Sequence, residues 1–321
     1  MLRFLLDRLV QALLVLLALS FLIYLLIGLM PGDPIDLMIA ANPDLTAQDA
    51  ARLRAQYGLD QPLWQRYTAW LGDALRGDFG YSRLFNKPVI DVLIPRLGNT
   101  LILMAGSLLS ALALALPLGI FAALRQHRWV DQAINLFCFA GISVPPFWLA
   151  LLLILLFAVQ LGWLPAGGAG PVGGGGPIDR LPYLVLPVMT LSLLYIAQYT
   201  RHLRASMIDT LRQDYIRTAR AKGLSPAQIV TDHALPNAAT PLITLLALDI
   251  GTLFGGALIT ETMFSYNGMG KLIYDAILGN DYNLALVGLL FITVMVLTGN
   301  LLADIAYKAL DPRVSFENRR P

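Results

Sequence analysis

Few residues in this chain could do chemistry, and they are widely spaced. A nucleotide-hydrolysing phosphate loop needs Gly-x-x-x-x-Gly-Lys-Ser/Thr, so that backbone amides and a lysine can hold the phosphates. The one Gly-Lys pair, Gly270-Lys271, has Ser265 at the first glycine position and Leu272 after the lysine, which excludes ATP hydrolysis by that route. His127, His202 and His233 lack the His-Glu-x-x-His spacing, and the single cysteine, Cys138, offers neither a thiolate metal cluster nor an intrachain disulfide. A Gly-x-Ser-x-Gly elbow is missing as well. What remains is a carboxylate, Asp249, in the middle of the apolar run Pro241 to Ile259. An ionisable group so placed faces a cavity or a partner rather than lipid. It either ties two helices together or lines a path, where it could meet a substrate amine. Glu261, near the outer end of the same run, either orders a gate or is solvated. Tyr195, Gln198 and Tyr199 in the preceding run either pack or line the path. This is chemistry for binding and passage, not for bond breaking.

The elements that must position these groups follow from composition. Of 321 residues, 57% are hydrophobic and 14% charged, against about 25% charged in soluble domains, and mean hydropathy is +0.64. A core that could bury so much apolar side chain is larger than a globule of this size provides, whereas lipid takes the surplus directly. A net charge of +2 argues against a nucleic-acid partner. Apolar runs at Leu9 to Met30, Thr100 to Leu124, Ile134 to Leu161, Leu181 to Tyr199, Pro241 to Ile259 and Leu284 to Ala303 predict six transmembrane helices, an all-α polytopic fold. The first run follows Arg3 and Arg8 but exceeds a signal-peptide core and lacks its cleavage site, so it reads as a retained anchor. With the N-terminus inside, the short outer connections hold only Arg180 and Lys271, so both termini are expected in the cytoplasm.

The chain divides accordingly into residues 1–30, the N-terminal segment and first span; 31–99, an extracytoplasmic cap; 100–312, the transmembrane core with a cytoplasmic loop at 200–240; and 313–321, a cytoplasmic tail. In the cap, Thr46 to Tyr57 reads as a helix with Thr46 as N-cap and Asp49 in its first turn, and Trp64, Tyr67, Trp70 and Phe79 are expected to pack on the membrane face. The outer loop Gly162 to Asp179, rich in Gly and Pro, reads as a flexible connector. Pro117 and Pro145-Pro146 should kink their helices, and Gly251, Gly255 and Gly256 allow close helix approach.

A loop as long as 200–240 in a compact membrane protein asks for a purpose. Its residues favour helix up to Lys222, with Arg220 and Lys222 suiting the negative C-terminal end and Gly223 able to adopt the left-handed conformation that ends it. Ser225 then reads as an N-cap, Pro226 as the first helical residue and Gln228 as the partner in a capping box. The expected product is a short helix of about two turns presented to the cytoplasm, either for a partner or at rest on lipid headgroups.

Here the sequence resembles the membrane subunits of ATP-binding-cassette importers for dipeptides, oligopeptides and nickel. The family's loop pattern, Glu-Ala-Ala, three residues, Gly, nine residues, Ile-x-Leu-Pro, aligns with Arg217-Thr218-Ala219, Gly223 and His233-Ala234-Leu235-Pro236. The spacing is kept while Arg217, Thr218 and His233 depart from it in the manner of the peptide branch. Pro31-Gly32-Asp33-Pro34, Gly58-Leu59-Asp60-Gln61-Pro62, Gly77-Asp78-Phe79-Gly80-Tyr81-Ser82, Ser143-Val144-Pro145-Pro146-Phe147-Trp148 and Leu310-Asp311-Pro312-Arg313 extend the likeness in order along the chain.

The resemblance implies a multi-pass protein of the bacterial inner membrane that forms half of a peptide translocation pathway and is not itself an enzyme. Arg217, Ala219, Ala221, Gly223, Ser225, Pro226, Gln228, His233, Leu235 and Pro236 would belong to a coupling element docking on a cytosolic ATPase. No cofactor is expected on this chain, with ATP and Mg held by partner subunits. The implied partners are a second homologous permease, two ATP-binding subunits, an extracytoplasmic solute-binding protein and membrane lipid. A nickel-complex or glutathione permease of the same family is the alternative. An ion-coupled secondary transporter would show duplicated halves, and an intramembrane acid hydrolase would need a second carboxylate beside Asp249.

Overall fold

The computed structural model describes residues 2–29, 52 and 61–310. The helix expected from Thr46 to Tyr57 and the tail 313–321 lie outside these, apart from residue 52. In chain order the elements are α1 (Leu2–Gly28), α2 (Leu63–Ala74), β1 (Tyr81–Ser82), β2 (Lys87–Pro88), α3 (Val89–Leu124), α4 (Trp129–Ser143) and α5 (Pro146–Leu153). A wide, π-helical turn Ile154–Gln160 continues α5; then come α6 (Pro177–Leu211), α7 (Asp214–Ala221), α8 (Pro226–Gln228), a second wide turn Ile229–Ala234, and α9 (Leu235–Ala238). The chain closes with α10 (Thr240–Met263), α11 (Met269–Leu278) and α12 (Tyr282–Leu310). The all-α expectation needs one correction. Tyr81–Ser82 and Lys87–Pro88 pair as a short antiparallel hairpin, with Asn86 at φ 49 in its turn.

Among the described residues four helices are long and apolar enough to cross a membrane, or six if each of two bent pairs counts as one span. The first bent pair, α4 with α5 and its wide turn, breaks by 103°. Pro145 explains the break. Val144 before it is driven out of helical backbone (φ −81°, ψ 121°), and Pro146 starts a new helix where its missing N–H is not needed. The run Ile134 to Leu161 is therefore not one straight rod. By contrast α3 continues through Pro117, and α6 through Pro182 and Pro187. α6 also runs to Leu211, well past the expected end at Tyr199, because Arg201 to Leu211 keep helical propensity although they are too polar to count as apolar run.

The chain divides into two compact units, residues 1–98 with 271–295, and 99–270 with 296–321. In the first unit α2 rests on α1. The Ser20 and Tyr67 hydroxyls are 2.7 Å apart, and the Tyr67 ring packs on Phe21, Tyr24 and Trp70. Phe79 meets Phe291 in the same unit, while Trp64 is exposed. The hairpin is fastened by the buried carboxylate of Asp281, which accepts from Ser82 Oγ at 2.5 Å and Leu84 N at 3.0 Å while its other oxygen caps Leu284 N at 3.2 Å.

In the second unit the core gathers Leu103, Ala150, Leu186, Leu191, Phe264 and Tyr266. Part of the Gly-rich loop joins it, against the expectation of a loose connector: Leu164 and Ala169 pack there, and Gly168 N donates to the Phe264 carbonyl at 2.8 Å. Gly167 has no room for a side chain, because a Cβ would overlap that same carbonyl. Gly251 lies against Val296 and Asn300, and Gly299 against Ile250, so small residues bring α10 and α12 close together.

Candidate coupling and pathway sites

Three clusters in the second unit carry the candidate residues. The first is the segment from Asp214 to Ala238. α7 ends in a Schellman arrangement, with Gly223 N donating to the Arg220 carbonyl at 3.0 Å and Leu224 N to the Ala219 carbonyl at 3.3 Å. Gly223 sits at φ +81°, a conformation that favours glycine, yet a Cβ there would meet nothing within 4 Å. Glycine is thus favoured by backbone conformation and leaves open space beside the turn. Ser225 then caps α8: its Oγ accepts from Gln228 N at 3.3 Å, and Gln228 Oε1 accepts from Ser225 N at 3.0 Å. Pro226 occupies the first helical turn.

The wide turn Ile229–Ala234 ends just before Pro236. Proline lacks an N–H and crowds the carbonyl four residues back, so a widened turn is a physical way to carry it without breaking the helix. Asn237 Nδ2 donates to the His233 carbonyl at 2.7 Å. Burial divides the segment in two. Ile216, Ala219, Ile229, Ala234 and Ala238 are buried, whereas Arg217, Arg220, Ala221, Lys222, Gly223, Ser225, Pro226, Gln228 and Pro236 are exposed, and His233 and Leu235 are half-buried. Ala219 therefore faces the interior of its own unit. Leu124, Leu211, Leu224, Pro226, Ile229 and Val230 line an apolar cleft of about 500 Å³ between this segment and the ends of α3 and α6.

The second cluster holds the expected pathway groups. Tyr195 and Tyr199 lie one helical turn apart on α6, both buried, with ring centroids 5.8 Å apart. The Asp249 carboxylate on α10 lies close enough to the Tyr199 hydroxyl on α6 for the two to interact electrostatically. Gln198 is half-buried on the same helix. A polar group on the facing helix is what a lone acid inside an apolar bundle needs. Two single variants, Asp249→Asn and Tyr199→Phe, are each expected to lower transport severalfold, with the double variant no worse than the poorer single one. Full additivity in such a cycle would show that the two groups act separately.

The third cluster surrounds Glu261, which is fully buried and so is not a solvated acid. Thr100 Oγ1 donates to Glu261 Oε1 at 2.6 Å and accepts from Met269 N at 2.8 Å. The Glu261 carbonyl accepts from Tyr266 N at 2.8 Å; the Tyr266 hydroxyl donates to the Asn99 carbonyl at 3.1 Å, and Asn99 Nδ2 to the Asn267 carbonyl at 2.8 Å. Burial, with Glu261 adding its negative charge, pushes the Tyr266 phenol up to about 12, so it remains a donor at any physiological pH. These groups knot the end of α10 to the start of residues 99–124 of α3. Sequence reasoning singled out Glu261 but missed Thr100, Asn99 and Tyr266, whose roles depend on partners about 160 residues away.

Residues 115–316 match the family model described as "Binding-protein-dependent transport system inner membrane component", and residues 1–104 match the model of its N-terminal portion. The chain belongs to that family. This permease is 42% identical over 316 residues to a protein of Brucella suis biovar 1 named as a peptide permease, covering 98% of this chain and 99% of the relative. It is 36% identical to the oligopeptide transport system permease protein AppB of Bacillus subtilis, over 98% of this chain and all of that one. It is also 36% identical to the glutathione transport system permease protein GsiC of Escherichia coli K12, over 99% of this chain and all of that one. Among solved structures, two inward-facing forms of the MetNI methionine ABC transporter share its fold, with TM-scores of 0.57 and 0.55 at 17% and 19% identity. They cover 69% and 68% of this chain and 97% and 96% of theirs. The permease is therefore a multi-pass inner-membrane subunit of an ABC importer. Residues 217–236 fall inside the matched region 115–316.

Proposed function

We propose that the permease forms one half of the translocation pathway of an importer for small peptides, and that an ATP-binding subunit drives it through the turn Gly223 to Gln228. The observation that carries this reading is the build of that turn. A capped, proline-stiffened corner stands exposed, while Ile216, Ile229 and Ala234 beneath it are buried. Such a corner can pass a displacement to the helix under it without folding up itself. ATP hydrolysis then belongs to the partner, which holds ATP and Mg, and this chain contributes conduit and lever. Six spans with both termini cytoplasmic, a second permease, two ATP-binding subunits and an extracytoplasmic solute-binding protein complete the assembly.

Names of relatives point to peptides, oligopeptides and glutathione. These solutes share a zwitterionic backbone with amide groups, and Asp249 with Tyr199 and Tyr195 offers an acid and aromatic faces suited to an ammonium end. Gln198 adds an amide. Uptake into proteoliposomes of radiolabelled dialanine, glutathione and nickel–histidine, each with the cognate binding protein and ATP inside, discriminates the family's substrate classes. Peptide uptake is the expected result; uptake of the nickel complex alone would overturn the peptide assignment. Topology has its own check. Trypsin added outside intact spheroplasts is expected to cut between Arg52 and Arg96 before it reaches Arg201 to Lys222, and the reverse order would invert the orientation.

A further inference from the structure

A buried charge pair outside all three clusters joins α4 to α6. Asp131, in the first turn of α4, is 3% exposed, and the Arg204 side chain on α6 is 22% exposed. The contact is bidentate, Arg204 Nε to Asp131 Oδ1 at 2.5 Å and Nη2 to Oδ2 at 2.7 Å. The same carboxylate accepts His127 N at 3.0 Å and Asn135 Nδ2 at 2.8 Å, so four N–H groups converge on its two oxygens. His127 itself takes φ 64 to present that N–H. One turn before Arg204, the Arg201 guanidinium lies 4.6 Å over the Phe139 ring, and farther along the two helices a Cβ on Gly141 would come within 3.3 Å of Ala197. α4 is thus fixed to α6 at three levels. The polar level stands at the end of α6 that continues to Leu211 and into the exposed corner.

A buried pair of this kind is weak evidence for stability, since desolvation offsets much of its attraction, but its geometry is specific. We propose that Asp131 and Arg204 are positioning residues that make α4 follow α6 when the corner is displaced. The movement would thereby reach α5 across the 103° break. This rests on the docking reading above. Without the pair, α6 would still be moved by the corner, while α4 would lag, because its remaining contacts with α6, Arg201 over Phe139 and Gly141 against Ala197, lack a directional fork and can slide.

The test uses the complete transporter in nanodiscs, in a Cys138→Ala background, with spin labels at the exposed positions Gln132 on α4 and Asp209 on α6. With the pair intact, the label-to-label distance is expected to be the same, within about 2 Å, with and without ATP and vanadate. In Asp131→Asn/Arg204→Met, which removes both charges together, the distance is expected to become nucleotide-dependent. The ATP consumed per labelled dialanine imported should rise at least about fivefold. Arg204→Lys keeps the charge, loses the fork, and should fall between. The proposal is overturned by a distance unaffected by nucleotide in the double variant, by a distribution broadened equally in both states, or by an unchanged ratio per assembled complex. Co-purification of the ATP-binding subunit should survive in every clamp variant. Its absence with the pair intact would refute the docking reading instead.

Discussion

Gly223→Asp is expected to cut ATP-driven uptake by more than about tenfold while leaving the permease inserted in the membrane at near-normal amounts. The backbone there is left-handed, φ +81°, and aspartate is among the side chains that tolerate that region, so the local cost is only about 1 kcal/mol. Beyond its chain neighbours nothing lies within 4 Å of the added Cβ, so the side chain meets no clash and that strain is the whole local cost. The room beside Gly223 belongs to whatever docks. An unpaired carboxylate excluded from water in that contact costs several kcal/mol, enough for the stated loss. Gly223→Ala brings the strain without the charge and should retain a large part of the uptake. Quantitative immunoblots of membranes, paired with uptake rates, check both arms; normal transport by the aspartate variant would remove the corner from the mechanism.

The knot around Glu261 should be the most sensitive structural point in the second unit. Removing the carboxylate in Glu261→Ala leaves the Thr100 hydroxyl, which also accepts from Met269 N, without its fully buried acceptor. Hydrogen bonds to charged groups are worth roughly 1.5–3 kcal/mol. A loss of about 2 kcal/mol would lower the melting midpoint in detergent by roughly 4–8 °C. Gly268→Ala should do the same from the other side, since its Cβ would overlap the Glu261 carboxyl. Glu261→Gln keeps an oxygen for Thr100 and should recover about half of the loss. Fluorescence-detected size exclusion after heating reads all three. If the alanine variants melt together with the parent, the knot holds nothing.

What could be read in the sequence, and what could not, divides by range. Gly223, Ser225, Pro226 and Gln228 were legible because each acts on atoms within five residues of itself, and helix caps and left-handed turns are local physics. Pro145 announces a kink in the sequence but not its size, because the angle depends on what the second helix finds to pack against. Apolar composition ends at Tyr199 while helical propensity carries α6 on to Leu211. Glu261 is visible in the sequence as an acid, but its burial is not, because Thr100 comes to it from a distant part of the chain. Asp131 and Arg204 gave no signal, since each by itself reads as an ordinary charge near a cytoplasmic boundary. The hairpin at Tyr81 and Lys87 is two residues a side and exists by virtue of Asp281, which no local pattern announces.

One cross-linking measurement bears most directly on the coupling corner. A photoreactive side chain at the exposed position Ala227, illuminated in membranes that contain the whole transporter, should yield a covalent adduct with the ATP-binding subunit. The same group at Leu13 of α1, exposed on an apolar helix, should yield lipid adducts and none with that subunit. Adducts from Ala227 to lipid alone, at the level seen from Leu13, would contradict the account, for the corner would then be resting on the bilayer with no motor against it.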